Sequence, residues 1–309
     1  MESLDSQQQV RREGEVEVRE FRSGYVALVG QPNVGKSTLM NALIGMKLSI
    51  VTRKAQTTRH RILGILSDDR RQIIFVDTPG NIEPKYGLQR AMMQSLQAAI
   101  RDADVVIHLI DASRRKLDFD EALSFAETPA VLAINKLDLV SMDRAMEISA
   151  AAIKVRSYEA VVPISAKKNK GLDKLIHEVS QLLPIGPEYY PREMVTEHPE
   201  RFFVSEIIRE KIFENYHEEV PYAVQVNVVA WAERANDKDL IDAEIIVERE
   251  SQKGIIIGRR GSALKRIGTA ARRDIEAMIG REVFLRLFVK VRAGWRDSEG
   301  RLREFGYVS

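Results

Sequence analysis

The sequence predicts a doubly wound α/β domain followed by a smaller α+β domain, and three observations carry that reading. From Gly24 to Pro184, short apolar runs alternate with longer amphipathic stretches, the pattern of βαβ units. A segment with four prolines, "PIGPEYYPREMVTEHPE", then interrupts any regular helix. Beyond it the order changes to helix, strand, strand, helix, strand. A chain of 309 residues, 44% hydrophobic and 30% charged, is too long for one ordinary core and suits two soluble domains. It has no cysteine, which excludes a disulfide framework and any thiolate metal site.

Residues 1–22 carry acids and bases throughout with no apolar stretch, so they read as a mobile arm and not a secretory signal. The first domain spans 23–184. "GYVALVG", "DVVIHLI", "AVLAI" and "AVVPI" are apolar without alternation, as strands buried on both faces must be. "RILGILSDDRRQIIFVD" reads as an antiparallel hairpin turning at Asp68 to Arg70, so a six-stranded, mostly parallel sheet is mixed at one edge. "KSTLMNALIG", "GLQRAMMQSLQAAIRDA" and "GLDKLIHEVSQLLP" are its helices. Residues 185–200 form the linker and 201–309 the second domain with its tail. No apolar run approaches the roughly 18 residues needed to cross a bilayer.

The net charge of +2 hides an asymmetry. Residues 187–250 hold 7 Lys/Arg against 16 Asp/Glu, and residues 251–296 hold 12 against 3, so a block of −9 is followed by one of +9. Either the blocks pair with each other, or the basic one meets a polyanion.

"GQPNVGKST" matches G-x-x-x-x-G-K-[ST] from Gly30 to Ser37, after a predicted strand and before a predicted helix. In that context Gly30, Gln31, Pro32, Asn33, Val34, Gly35 and Thr38 wrap phosphates with backbone N–H groups. Lys36 reaches the β- and γ-phosphates and Ser37 ligates Mg²⁺. "VDTPG" supplies Asp77, a Mg²⁺ partner through water, with Thr78, Pro79 and Gly80, whose N–H can sense the γ-phosphate. "NKLD" supplies Asn135, Lys136 and Asp138, the carboxylate suiting guanine N1–H and the exocyclic amine. "SAK", Ser165, Ala166 and Lys167, would close over the base through backbone. Each motif follows a predicted strand, and their order specifies a P-loop GTPase domain.

These residues resemble the Era branch of the translation-factor-like GTPases: "PNVGKST", "KAQTTRHRILGI" and "FVDTPG" look like its phosphate loop, first switch and second switch. By that resemblance Thr58 is the switch threonine that meets Mg²⁺ with GTP bound, with adjacent Thr57 as competitor. Lys36, Thr58 and Gly80 would carry catalysis. Asn81 stands where Ras-like enzymes place glutamine and this branch an apolar residue, so what aligns the attacking water is open. Asn33 matches the asparagine that helps hold K⁺ in potassium-activated relatives, and equally suits a turn.

In "SQKGIIIGRRGSALKRIG" the sequence Gly258-Arg259-Arg260-Gly261 fits the GXXG loop of KH modules, which clamp about four single-stranded nucleotides by backbone. Lys253, Gly254, Ile257, Lys265, Arg266, Arg272 and Arg273 lie around it as RNA-binding candidates. Ile255, Ile256 and Ile257 read either as core of the preceding helix or as an apolar groove under bases. The Era resemblance continues through this KH-type domain to "VKVRAGWRDSEGRLREFGYVS". It implies a cytoplasmic monomer that binds GTP and GDP and the single-stranded region near the 3′ end of small-subunit (16S) ribosomal RNA. It also implies a role in maturing the small ribosomal subunit and peripheral contact with the inner face of the cell membrane. The alternative is an RNA chaperone whose nucleotide half turns over negligibly.

Overall fold

The computed structural model describes residues 20–52, 54–117, 119, 127–234 and 237–308. Six strands form the first sheet: β1 (Arg22–Val29), β2 (Ile62–Ser67), β3 (Arg71–Asp77), β4 (Val105–Asp111), β5 (Ala130–Asn135) and β6 (Ala160–Pro163). Their order is β2-β3-β1-β4-β5-β6, parallel except for the β2–β3 hairpin. The hairpin turns where the sequence places it. The Asp68 carboxylate accepts from the N–H groups of Arg70 at 2.8 Å and Arg71 at 3.1 Å.

Both sheet faces are covered, which is why β3, β4 and β5 need no polar alternation. Helices α1 (Lys36–Ile44) and α4 (Leu172–Leu182) cover Val26, Leu28, Phe75, Ile107 and Val131. On the other face α2 (Gly87–Arg101) packs Leu96 and Ile100 on Ala27 and Val106, and α3 (Met142–Ile153) packs Ile148 on Leu132 and Ile134. Helix α3 is absent from the sequence reading, although Ser141 caps it by accepting from Arg144 N–H. Strand order reverses beside β1, so the crevice at the carboxyl ends of β1, β3, β5 and β6 is the place for a ligand.

One boundary shifts, and the linker gains a structural role that the sequence does not show. Strand β1 begins at Arg22, which pairs with Arg71 in β3 and donates to the Leu183 carbonyl at 2.6 Å, so the arm ends before that residue. Residues 1–19 of the expected arm lie outside the described residues. The linker is no slack tether, because the fully buried Gln72 holds it. Its Oε1 accepts from Tyr189 N–H at 2.7 Å and Tyr190 N–H at 2.9 Å, and its Nε2 donates to the Tyr190 carbonyl at 2.8 Å. Further on, Ile65 N–H reaches the Val195 carbonyl at 2.9 Å, so linker backbone bonds the edge strand β2.

The second sheet is β7 (Gln225–Ala232), β8 (Asp239–Val247) and β9 (Val283–Val291), with β7–β8 antiparallel and β8–β9 parallel. Helices α5 (Glu200–Asn215), α6 (Glu250–Ile257), α7 (Ser262–Ile279) and α8 (Glu299–Glu304) complete the domain. Val204, Ile208 and Ile212 of α5 and Ile267, Ala271 and Ile275 of α7 pack on Ile241, Ala243 and Ile245 of β8. Helix α5 is buried around its circumference, charged residues included, because its other side faces the first domain.

Replacing Gln72 with alanine leaves two linker N–H groups without acceptors, a cost of roughly 2 kcal/mol. The urea midpoint should fall and proteolysis should begin in residues 185–199. A midpoint equal to wild type would show that the linker does not depend on Gln72.

Candidate functional site

The strand-to-helix turn after β1 has the shape its glycines allow. Gly35 has φ of 106° and a Cβ there would sit 2.4 Å from Asn135 Nδ2; at Gly30, φ 150°, it would sit 2.5 Å from the Leu109 carbonyl. Lys36 is buried and its Nζ donates to the Gly30 carbonyl at 2.6 Å and the Gln31 carbonyl at 3.1 Å, so its ammonium lies inside the loop. Asn33 is exposed in a left-handed turn at φ 65°. A cavity of about 350 Å³ opens on this loop and takes Thr38, Gln56, Thr57, Thr58, Thr78 and Gly80 into its lining.

Ser37, Thr58 and Asp77 meet there. Ser37 Oγ lies 2.9 Å from Thr58 Oγ1, which donates to Asp77 Oδ2 at 3.4 Å. Asp77 is fully buried and its Oδ1 has no hydrogen-bond partner among the described residues. Burial pushes its carboxyl above the usual range, against the opposing pull of Lys36 and nearby hydroxyls. An orphaned carboxylate oxygen beside two hydroxyls is a donor set that fits a hard divalent cation such as Mg²⁺. Gly80 lies against the loop, where a Cβ would come 3.0 Å from Pro32 N. Thr78 faces inward and bonds the Leu28 carbonyl at 2.7 Å, buried Pro79 follows it, and Asn81 is exposed.

At the ends of β5 and β6 the motif residues divide the work. Asn135 is buried and acts as a bolt. Its Nδ2 donates to the Val34 carbonyl at 2.8 Å, and its Oδ1 accepts from Ala166 N–H at 3.0 Å and Lys136 N–H at 2.8 Å. Asp138 is exposed to a second cavity of about 690 Å³ that Lys136 and Lys167 also line. The Ser165 hydroxyl donates to Asp138 Oδ1 at 2.5 Å and holds that carboxyl below its usual range. The side chain of Ser165 therefore orients Asp138, beyond the backbone role read from sequence. Asp111 was missed as well: it pairs with Lys136 Nζ at 2.6 Å and so fixes the lysine of the same motif. Its position at the carboxyl end of β4, in "IDAS", was the available signal.

The GRRG loop joins α6 to α7 through Gly258 at φ 70°, Arg260 at φ 51° and Gly261 at φ 76°. Gly258 is required for space, since a Cβ would lie 2.5 Å from that of Ala263. Beside the loop, Gly261, Leu264, Lys265, Arg272, Phe284 and Leu287 line a cavity of about 460 Å³. The isoleucines split: Ile256 is core, Ile257 is half-buried and Ile255 is 47% exposed. The cavity's apolar floor is instead Leu264 with strand β9. Arg266 turns away to Asn215 Oδ1 at 3.1 Å, Lys253 stands 3.7 Å from Glu250, and Gly254 and Arg273 are exposed on their helices.

Charge pairing sorts the basic block. Arg286 takes Asp242 with two bonds of 2.6 Å, Arg281 takes Asp239 at 3.0 Å, and Lys290 and Arg296 take Glu244 and Glu248. The side chains of Arg259, Arg260, Lys265 and Arg273 have no hydrogen-bond or ion-pair partner among the described residues. The unneutralised charge thus gathers at the GXXG loop and on α7.

The two halves meet through the segment that carries Thr58. Arg209 of α5, 1% exposed, pairs with Glu206 and donates Nη2–H to the Thr57 carbonyl at 2.6 Å. Glu210 accepts from Val51 N–H at 3.3 Å and pairs with Lys47 at 2.5 Å. Arg59 donates to the carbonyls of Val224 at 2.6 Å and of Pro221 and Tyr222 at 3.1 Å. Burial alone would raise the Glu206 carboxyl, but Arg209, His60 and Arg59 outweigh it and hold it below its usual range.

A P-loop nucleotide fold with these four loops, joined to a GXXG module, defines a GTP-binding switch protein with an RNA-binding domain. The family described as "50S ribosome-binding GTPase" matches residues 25–136, and the KH domain family matches residues 219–296. GTPase Era of Geotalea uraniireducens is 44% identical over 293 residues, covering 94% of this chain and 99% of that one. A chloroplastic GTPase ERA-like protein of Arabidopsis thaliana is 48% identical over 293 residues, covering 93% of this chain and 69% of its own. A crystal structure of Era with MgGDPNP and nucleotides 1506–1542 of 16S ribosomal RNA superposes with a TM-score of 0.88 at 39% identity, covering 94% and 100% of the two chains. The chain belongs to the Era family of GTPases. No helix among the described residues is long and apolar enough to cross a membrane.

Truncating Glu206 to alanine strands the Arg209 charge in the interface and should cost about 3–5 kcal/mol in urea unfolding at pH 7. Because Glu206 titrates below its unfolded value, its contribution is complete above about pH 4.5 and is lost as pH falls through the folded value. Between pH 7 and pH 3 the Glu206→Gln variant should therefore lose less stability than wild type. Parallel acid limbs would show that the pair carries no such linkage.

Proposed function

We propose that this protein is a GTP-hydrolysing switch whose second domain grips single-stranded RNA near the 3′ end of small-subunit ribosomal RNA while that subunit matures. One observation carries the coupling of the two activities: Arg209 holds the Thr57 carbonyl at 2.6 Å, next to the threonine that touches Ser37. The RNA assignment draws support from the solved Era complex with nucleotides 1506–1542 and from the free basic charge at the GXXG loop.

In this reading Lys36 places its ammonium against the β- and γ-phosphates, and the loop N–H groups from Asn33 to Thr38 take the phosphate oxygens. Ser37 and Thr58 hold Mg²⁺ directly and Asp77 holds it through water, a set that Asp77's unpaired Oδ1 fits. A cation held by these residues would supply positive charge to the β- and γ-phosphoryl oxygens. Gly80 N–H senses the γ-phosphate, so losing that phosphate frees both Thr58 and Gly80. Asp138, aimed by Ser165, reads guanine, while Asn135 keeps the phosphate loop and the Ser165–Lys167 loop in register. Exposed Asn33 is the residue that would help hold K⁺. The backbone of Gly258–Gly261 clamps phosphates, with Arg259, Arg260, Lys265 and Arg272 around it; Lys253, Gly254, Ile257, Arg266 and Arg273 flank it.

Lys36→Ala should abolish GTP turnover and leave RNA binding within about twofold, whereas the double variant Gly258→Asp, Gly261→Asp should do the reverse, through bulk and repulsion at the clamp. Filter binding and single-turnover phosphate release measure both, and loss of both activities in both variants would overturn the modular reading. Phosphate release is expected to rise with RNA carrying the small-subunit 3′ end. No release with or without that RNA sinks the enzyme reading. Equal rates in K⁺ and Na⁺ remove Asn33 as an ion ligand.

A further inference from the structure

We propose that the second domain completes the nucleoside pocket, with the Glu214 carboxylate accepting the ribose hydroxyls of the bound guanine nucleotide. The inference rests on the guanine-nucleotide reading above and extends it to a residue outside the GTPase motifs.

The pocket has two chambers. The phosphate chamber of about 350 Å³ and the base chamber of about 690 Å³ share Gly35, Thr38, Val51, Thr52 and Lys136 as lining. With phosphates at Lys36 and guanine at Asp138, the ribose must lie where the chambers join. Part of the base chamber's lining comes from the other domain, through Phe213, Glu214 and His217 at the end of α5.

That part of the lining is fixed in place. Lys54 Nζ donates to the carbonyls of Phe213 and Tyr216, capping the last turn of α5 with a cation at its negative end. Lys54 N–H bonds Thr52 Oγ1 at 3.1 Å, and Thr52 lines both chambers, so the segment beside the ribose position is the one that holds the helix end. Glu210 adds a second tie, accepting from Val51 N–H.

Among the wall residues, Glu214 has the chemistry for a cis-diol. A carboxylate offers two acceptor oxygens to two hydroxyl donors, as the acidic residue of dinucleotide-binding folds does for ribose. Its carboxylate is 46% exposed and is held beside Lys211 at 3.2 Å. Lys211 also pairs with Asp274 at 2.7 Å, so removing Glu214 strands no charge. Lys54 is committed to carbonyls, and Phe213 is apolar. Nucleotide in either phosphorylation state then bridges the two domains, separately from the γ-phosphate signal read at Thr58.

The test compares GDP with 2′,3′-dideoxy-GDP by calorimetry on the full chain with Mg²⁺. Wild type should prefer GDP by about tenfold, the worth of a hydrogen bond to a partly exposed charge. Glu214→Gln, nearly isosteric, should bind GDP about tenfold more weakly and dideoxy-GDP unchanged, which erases the preference. His217→Ala should keep the preference. Retained preference in Glu214→Gln, wild-type affinity of that variant for GDP, or loss of the preference in His217→Ala each overturns the assignment. Equal wild-type affinity for the two ligands overturns the ribose contact alone. A wild type that binds neither overturns the guanine-nucleotide reading itself.

Discussion

The arrangement of the molecule depends on one buried ion pair. Arg209 and Glu206 lie on the same face of α5, both out of water, and Arg209 spends a third bond on the Thr57 backbone. A pair in this position is poor evidence of stability, because desolvating two ions costs about what their attraction returns. What it supplies is position. Arg209 Nη1 has no hydrogen-bond partner among the described residues, Arg59 stands close by with its proton affinity lowered by burial, and both guanidinium groups lie near the Phe213 ring. Charge crowded this way is tolerable only while the carbonyls of Thr57, Pro221, Tyr222 and Val224 stay in place. The backbone of the segment beside the γ-phosphate position is thus a structural member of the domain interface.

The second segment expected to move is tied in the same manner. Helix α2 has no side-chain cap of its own. Its first N–H groups are met from the other domain: Gly87 by Asp297 Oδ1 at 2.7 Å and Leu88 by the Arg296 carbonyl at 2.7 Å. Gly87 has to be glycine, since a Cβ would lie 2.7 Å from that carbonyl. Trp295, fully buried among Leu88, Met92 and Ile246, anchors the tail that delivers the cap. Separating the domains would orphan donors at a helix N-terminus and expose this cluster together, so the interface opens as a unit or stays shut.

How much of this was legible in sequence followed the range of the interactions. The sheet, its hairpin and the phosphate loop could be read because each is set by local pattern: unbroken apolar runs, Asp68 at a turn, glycines where φ is positive. Asp138 was found from its motif, but not the Ser165 hydroxyl that aims it, because that bond spans loops after different strands. Helix α5 was legible as a helix from its spacing, but not the domain contact it makes. Nothing in its local pattern says that Glu206 and Arg209 are buried as a pair, because that depends on the first domain packing on them. The prolines mark the linker as free of regular helix but do not show what holds it, and Gln72, unremarkable inside an apolar strand, bonds its backbone three times. The opposed charge blocks were visible as composition, but which basic groups pair with β8 and which stay free depends on the parallel β8–β9 register.

That register also explains how a domain of nearly balanced charge presents a basic site. Strand β9 sets Arg286 directly beside Asp242 of β8 and Lys290 two positions along from Glu244, which it reaches diagonally, and these pairs silence the outer sheet face. Long-range attraction for a polyanion then comes mainly from charges without such partners, and they are grouped at one end of α7 by the GXXG turn. The same helix reaches α5 through Lys211–Asp274 at 2.7 Å and Arg266–Asn215 at 3.1 Å. Two packed helices therefore separate the Thr57 carbonyl from the loop that would hold RNA. Packed helices shift as rigid bodies between discrete arrangements. A change in the backbone at Thr57 must break its bond to Arg209 or carry α5, and with it α7, to a new position. In the proposed switch, the physical link between nucleotide and RNA would be this requirement that a buried guanidinium keep its acceptor.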